Sequence, residues 1–197
     1  MNLINDKKGT NKWLIGLGVI ALIIFFVVIW YISTYNSLIK LNEDVNNKWS
    51  QVETQYQRRV DLIPNLVSTV KGASNFEKTT LEEITKLRSQ WQSAAGTDQK
   101  IQAANQIEST LSKLLVISEN YPELKSNQNF LALQDELANT ENKISVERGR
   151  YNDAVKAFNT KIKTFPTNIV ANNFGYTEKN YFNSVPDAES APKVDFV

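Results

Sequence analysis

The side chains that carry most enzyme chemistry are missing from this sequence, which holds neither cysteine nor histidine. Those two zeros remove thiolate and disulfide chemistry, Ser-His-Asp and Cys-His catalysis, zinc sites built on His or Cys, and the Glu-x-x-His di-iron sites of ferritin-like bundles. Carboxylate, guanidinium, amine and hydroxyl groups remain. No glycine-rich phosphate loop is present, and adjacent carboxylates such as Glu82-Glu83 read as solvated helix surface rather than as an acid and base pair. The expectation is a protein without catalysis, cofactor or metal.

The most unusual run is Arg58-Arg59-Val60-Asp61-Leu62-Ile63-Pro64-Asn65-Leu66. Proline within a helix costs about 3 kcal/mol and removes a backbone hydrogen bond, so a kink is expected near Asp61 to Pro64. Such a run is either a kinked helix with surface arginines or a polar notch. Further on, Glu141 and Arg148 are seven residues apart and share a helix face. Partly buried charges need partners, so Arg59, Asp61, Glu141 and Arg148 are expected to form an inter-helix network that specifies register more than it adds stability. Arg148 should pair with Glu141 or with an acid on another helix. Lys156, Lys161 and Lys163 crowd the end of the same helix, where cations complement its dipole.

The elements that must position these groups are helical, since glycine and proline are sparse and β-type alternation is absent. One apolar stripe runs through Leu38, Leu41, Val45, Trp49, Val52, Tyr56, Val60 and Ile63 and ends between Gly72 and Asn75. A second, through Leu81, Ile84, Leu87 and Trp91, is entered by a capping box, Ser74-x-x-Glu77, and closed by Gly96. A third begins near Thr97, carries Ile101, Ala104, Ile107, Leu111 and Leu114, and stops at Pro122. In the fourth, Phe130, Leu137, Ile144, Tyr151, Phe158 and Phe165 recur every seven residues, as in a coiled-coil seam, and should all face inward. Asn127 is its candidate cap and Phe165-Pro166 its stop.

Segments one and four come to about 60 Å each and segments two and three to about 30 Å. Short connections make neighbours antiparallel, so the expected fold is all-α: an N-terminal transmembrane helix followed by an antiparallel four-helix bundle with two long and two short helices. The boundaries are 1–12 for a short N-terminal segment, 13–32 for the membrane helix, 33–182 for the bundle and 183–197 for a disordered tail. An aromatic loop around Phe174, Tyr176, Tyr181 and Phe182 should cover the part of the first helix that holds Tyr35 and Trp49.

Residues 13–32 carry no charge, and twenty residues at 1.5 Å rise cover about 30 Å, the thickness of a bilayer's hydrocarbon core. Trp13 at one end and Trp30 with Tyr31 at the other are placed as interfacial aromatics. The apolar run is longer than a signal peptide's and no A-x-A site follows, so it reads as an uncleaved signal anchor. Lys7, Lys8 and Lys12 precede it, against Lys40 and Lys48 soon after, which favours a cytoplasmic N-terminus and an exported helical domain. The 197 residues carry 22 basic and 21 acidic side chains, a formal charge of +1 that argues against nucleic acid as a partner.

Tyr35-Asn36, Trp49-Ser50, the run RRVDLIPNLVSTVKG from Arg58 to Gly72, Tyr121-Pro122-Glu123-Leu124-Lys125, Thr140-Glu141-Asn142-Lys143-Ile144, Tyr151-Asn152, Phe165-Pro166 and Tyr181-Phe182 closely resemble the bacterial LemA family. The resemblance implies a single-pass membrane protein with a soluble all-helical domain, and the expected location is the inner membrane. It implies no activity and no catalytic or ligand-binding residues. It also implies an envelope protein partner, with a membrane metalloprotease as the candidate on family resemblance alone. The expected function is that of a membrane-anchored scaffold or adaptor at the cell envelope, partnered by the lipid bilayer and a protein. The alternative is a membrane-tethered, ligand-sensing bundle that signals through a partner.

Overall fold

A computed structural model describes residues 7–72 and 78–182. Their regular structure is entirely helical: α1 (Lys7–Lys71), α2 (Lys78–Ser93), α3 (Thr97–Ser118), α4 (Pro122–Lys125), α5 (Gln128–Lys163) and α6 (Thr167–Asn173). The apolar spacing accounts for the long elements. In α1 the stripe positions Leu38, Val45, Val52, Tyr56, Val60 and Ile63 are all buried, at successive spacings of three, four or seven. Helical assignment runs through Pro64 to Lys71. The capping box at Ser74 and Glu77 and the tail from 183 lie outside the described residues.

Punctuation residues set the remaining ends. Gly96, extended at φ −134 and ψ 157, precedes α3. Pro122 opens the short α4, a turn that apolar periodicity did not announce, because four residues are too few to display one. Asn127 caps α5, its Oδ1 accepting the backbone N–H groups of Asn129 at 3.0 Å and Phe130 at 3.2 Å.

The described residues fall into two compact units, one of 7–43 with 157–179 and the other of 44–72, 78–156 and 180–182. In the second unit the core is built from Val45, Val52, Tyr56, Val60 and Ile63 of α1, Ile84 and Trp91 of α2, Ala104, Ile107 and Leu114 of α3, and Phe130, Ile144 and Val155 of α5. Helix α2 lies along α3. Five of the six heptad positions of α5 are buried, but Phe165 is 76 % exposed, which corrects its expected inward placement. Helical assignment ends at Lys163, and a residue beyond the last turn that precedes proline no longer follows the helix's register.

In the first unit Leu38 of α1, Phe158 and Ile162 of α5, and Val170 and Ala171 of α6 are buried. Phe174 closes α6 and lays its ring 6.2 Å from Tyr31 and 4.2 Å from Tyr35, while Tyr176 meets Phe158 edge-on at 5.8 Å. The Asn159 side chain holds both backbone groups of Lys179, at 2.9 Å each. By contrast, every large aliphatic, Phe or Trp side chain in 13–32 is at least 38 % exposed. This stretch makes α1 long and apolar enough to cross a membrane.

Ile144 is fully buried in the second unit. Ile144→Asp places a carboxylate there, one turn before an Arg148 that Glu108 already holds, and the loss of stability should exceed about 3 kcal/mol, seen as a collapse of the cooperative thermal transition. An unchanged melting temperature would mean that this face of α5 is not the core.

Candidate functional site

The second unit encloses a cluster of charges where α1, α3 and α5 contribute to one core. Tyr56 and Arg59 lie three apart on α1, and Asn105 and Glu108 three apart on α3, so each pair projects from one helix face. On α5, Thr140, Glu141 and Arg148 cover two turns. Glu108 is the centre, at 8 % exposure. The Tyr56 hydroxyl donates a short hydrogen bond to its Oε1, Arg148 Nη2 donates to its Oε2 at 2.9 Å, and Arg59 Nη1 lies 3.7 Å from Oε1.

Arg59, 3 % exposed, is held from several sides. Its Nε donates to Thr140 Oγ1 at 3.3 Å, its Nη2 donates to the Leu137 carbonyl at 3.2 Å, and the same Nη2 pairs with Glu141 Oε2 at 2.6 Å. Arg148 Nη2 also donates to Asn105 Oδ1 at 3.0 Å. Its guanidinium lies 4.5 Å from the centre of the Phe182 ring and 5.5 Å from that of Tyr56, within cation–π reach of both. Burial pushes the Tyr56 phenol well above its ordinary value and the negative Glu108 pushes it further, while Arg148 and Arg59 pull the other way. Burial also raises Tyr151, with Asp98 adding to it, up to about 12.

Phe182 seals this cluster from the side of the C-terminal segment. It stacks on Trp49 at 5.9 Å and on Tyr56 at 6.0 Å, and meets Tyr151 edge-on at 6.0 Å. Asn152 binds the Phe182 backbone N–H and carbonyl at 2.9 Å each, and the Tyr151 hydroxyl donates to the Asn180 carbonyl at 3.0 Å.

Of the charged residues singled out in the sequence, Arg59 and Glu141 meet directly, and Arg148 shares Glu108 with Arg59. Asp61 stands apart, exposed and accepting from Gln57 Nε2 at 2.9 Å. Trp13 and Trp30 are exposed, while Tyr31 faces Asn173, whose Nδ2 lies 3.5 Å from its hydroxyl. Sequence reasoning missed Glu108, although the clue was available: it sits four after Ala104 and three before Leu111, on the inward stripe of α3. Tyr56 was read for its ring and not for its hydroxyl. Among the described residues no group of three or more carboxylates is placed to hold a metal ion.

These features define an all-helical protein with one long apolar helix and a core of ion pairs closed upon each other. The model of the LemA family matches residues 48–196. Protein LemA of Metamycoplasma hominis is 30 % identical over 149 residues, covering 75 % of this chain and 67 % of that protein. Magnetosome protein MamQ 2 of Paramagnetospirillum magneticum is 22 % identical over 209 residues, covering 93 % of this chain and 76 % of that protein. Magnetosome protein MamQ of Magnetospirillum gryphiswaldense is 21 % identical over the same shares. The chain belongs to the LemA family.

Glu108→Gln leaves the buried Arg59 and the half-buried Arg148 without their shared counter-charge and should cost about 3–5 kcal/mol in urea denaturation. Tyr56→Phe removes a hydrogen bond to a charged group, worth about 1.5–3 kcal/mol. Because the folded protein holds the Tyr56 proton more tightly than the ordinary phenol at 10.0, the stability it contributes is whole below that pH and is lost as pH rises beyond it. Urea midpoints at pH 9, 10 and 11 should therefore fall less steeply in Tyr56→Phe than in the native protein. Parallel slopes would place the phenol outside the cluster.

Proposed function

We propose that this protein is a membrane-anchored scaffold or adaptor of the bacterial cell envelope that holds a protein partner at the inner membrane without catalysis of its own. The observation that carries the reading is the exposure of 13–32, where sixteen apolar side chains from Trp13 to Ile32 find no protein cover. At about 25 cal/mol per Å² of apolar surface, such a stretch gains far more from lipid than from water. Trp13, Trp30 and Tyr31 mark the interfaces, and Lys7, Lys8 and Lys12 keep the N-terminus cytoplasmic.

Beyond the bilayer, the last part of α1 with α2, α3 and α5 forms an antiparallel four-helix bundle whose outer surface meets the partner. Exposed apolar side chains on it, Val116, Leu131 and Val146, favour contact with protein. A membrane metalloprotease is the partner that family resemblance favours. The ion pairs Arg59–Glu141 and Arg148–Glu108 hold helix register in this reading, and Asp61 is outer surface.

Carbonate washing should leave the protein in the membrane pellet at its full mass. A soluble product short of about thirty N-terminal residues would remove the anchor. Because the chain has no cysteine, Ser126→Cys creates a single reporter on the domain. It should react with an impermeant maleimide in spheroplasts, and reaction only after lysis would reverse the topology. A photo-crosslinker in place of Leu131 or Val146 should give a discrete adduct with a second membrane protein. Adducts with lipid alone would count against the adaptor role.

A further inference from the structure

Above Arg59, between α3 and α5, lies a cavity of about 330 Å³. This is the small end of the range that binding sites for small molecules occupy, about 300–1,000 Å³. Its lining follows from helix geometry. Glu108, Leu111, Ser112 and Leu115 recur at intervals of three, one and three on α3, and Gln134, Leu137, Ala138 and Glu141 do so on α5, so each helix offers one face. Leu111, Leu115 and Leu137 make an apolar wall. The guanidinium of Arg59 makes a charged floor, its side chain only 4 % exposed.

The two carboxylates beside Arg59 are unlike each other. Glu108 is committed, with Oε1 bound by Tyr56 and 3.7 Å from Arg59 Nη1, and Oε2 bound by Arg148. Glu141 reaches Arg59 from the rim through Oε2 at 2.6 Å while its side chain remains 51 % exposed. Two guanidinium groups and two carboxylates balance, and Glu141 is the member that can swing into water cheaply, being half in water already. Its departure would leave Arg59 and Arg148 to share the single Glu108 carboxylate, 3.7 Å from Arg59 Nη1, so that one buried positive charge is unbalanced unless another carboxylate takes its place.

We propose that this cavity binds an aliphatic monocarboxylate of middle chain length, whose carboxylate replaces Glu141 on Arg59 and whose chain lies along Leu111, Leu115 and Leu137. The exchange conserves charge. Ser112 and Gln134 also line the cavity and offer a hydroxyl and an amide to the second carboxylate oxygen. An amine of the same length would meet Arg59 as a like charge, and an alcohol would bring no charge to replace that of Glu141, leaving two guanidinium groups on the one Glu108 carboxylate.

The test uses the full chain in lipid nanodiscs titrated with octanoate labelled with ¹³C at the carboxyl, the carboxyl shift reporting the bound fraction. Saturable binding is expected, with octylamine and octanol unable to displace it. Glu141→Gln removes the competing carboxylate and should tighten octanoate at least fivefold. Ala138→Trp fills the opening from an exposed position and should weaken it at least tenfold with thermal unfolding unchanged. Octanoate signal equal in Ala138→Trp and in the native protein would assign the uptake to lipid and overturn the proposal. So would a Glu141→Gln protein that binds no tighter than the native one, and either variant decides by itself.

Discussion

The second unit depends on one constraint, the burial of the Glu108 carboxylate. A carboxylate taken out of water costs several kcal/mol even after relaxation, and only close donors offset this. Here those donors come from two other helices, Tyr56 and Arg59 from α1 and Arg148 from α5. Sliding α3 by one turn, about 5.4 Å, would break all three contacts together. The apolar seam alone would not resist so sharply, because a seven-residue repeat from Phe130 to Phe158 matches its neighbours again after a shift of one heptad. The ionic cluster removes that degeneracy, as isolated polar residues do in coiled-coil cores.

The helices and most of their inward faces were legible in the sequence because burial in this chain is periodic, and periodicity survives without tertiary knowledge. Leu137, Ile144 and Tyr151 are read correctly for that reason. Phe165 was misread because the repeat continues in sequence one position past the point where the backbone ceases to be helical. The charge cluster was legible in part. Arg59, Glu141 and Arg148 were visible as charges beside apolar stripes, whereas Glu108 occupies a stripe position itself and was passed over as an interruption. Which acid meets which arginine is decided by the relative placement of three helices, and a single sequence carries no direct measure of that. Asp61 illustrates the converse, since one position along a helix turns a side chain by about 100° and sends this carboxylate to Gln57 on the outer face.

Beyond α6 the backbone leaves the helix at Gly175, whose φ of 69 suits a residue without a Cβ. A non-helical segment must find partners for its own N–H and C=O groups. In each unit an asparagine of α5 provides them in the same manner, Asn159 for Lys179 and Asn152 for Phe182, with the side-chain amide matching one donor and one acceptor on the same residue. This binding reads backbone, and specificity comes from what accompanies it. For Phe182 that is the aromatic surround of Trp49, Tyr56 and Tyr151, with Arg148 over the ring. The segment therefore closes the same cluster that Glu108 centres, and the cation–π contact links the ionic and aromatic halves of one core.

What such a core can do follows from how its charges are spent. General acid–base work calls for a group that titrates near neutrality, yet the shifted phenols of Tyr56 and Tyr151 move away from it, upward, as burial requires. What the cluster does offer is a graded exposure of its four charges. Among them only Glu141 has the exposure to change partners without first opening the core. From Glu141 the contacts run inward through Arg59 to Glu108, and from Glu108 to Tyr56 and to Arg148, which lies over the Phe182 ring, so the exposed end of the cluster is joined by direct contacts to its aromatic end.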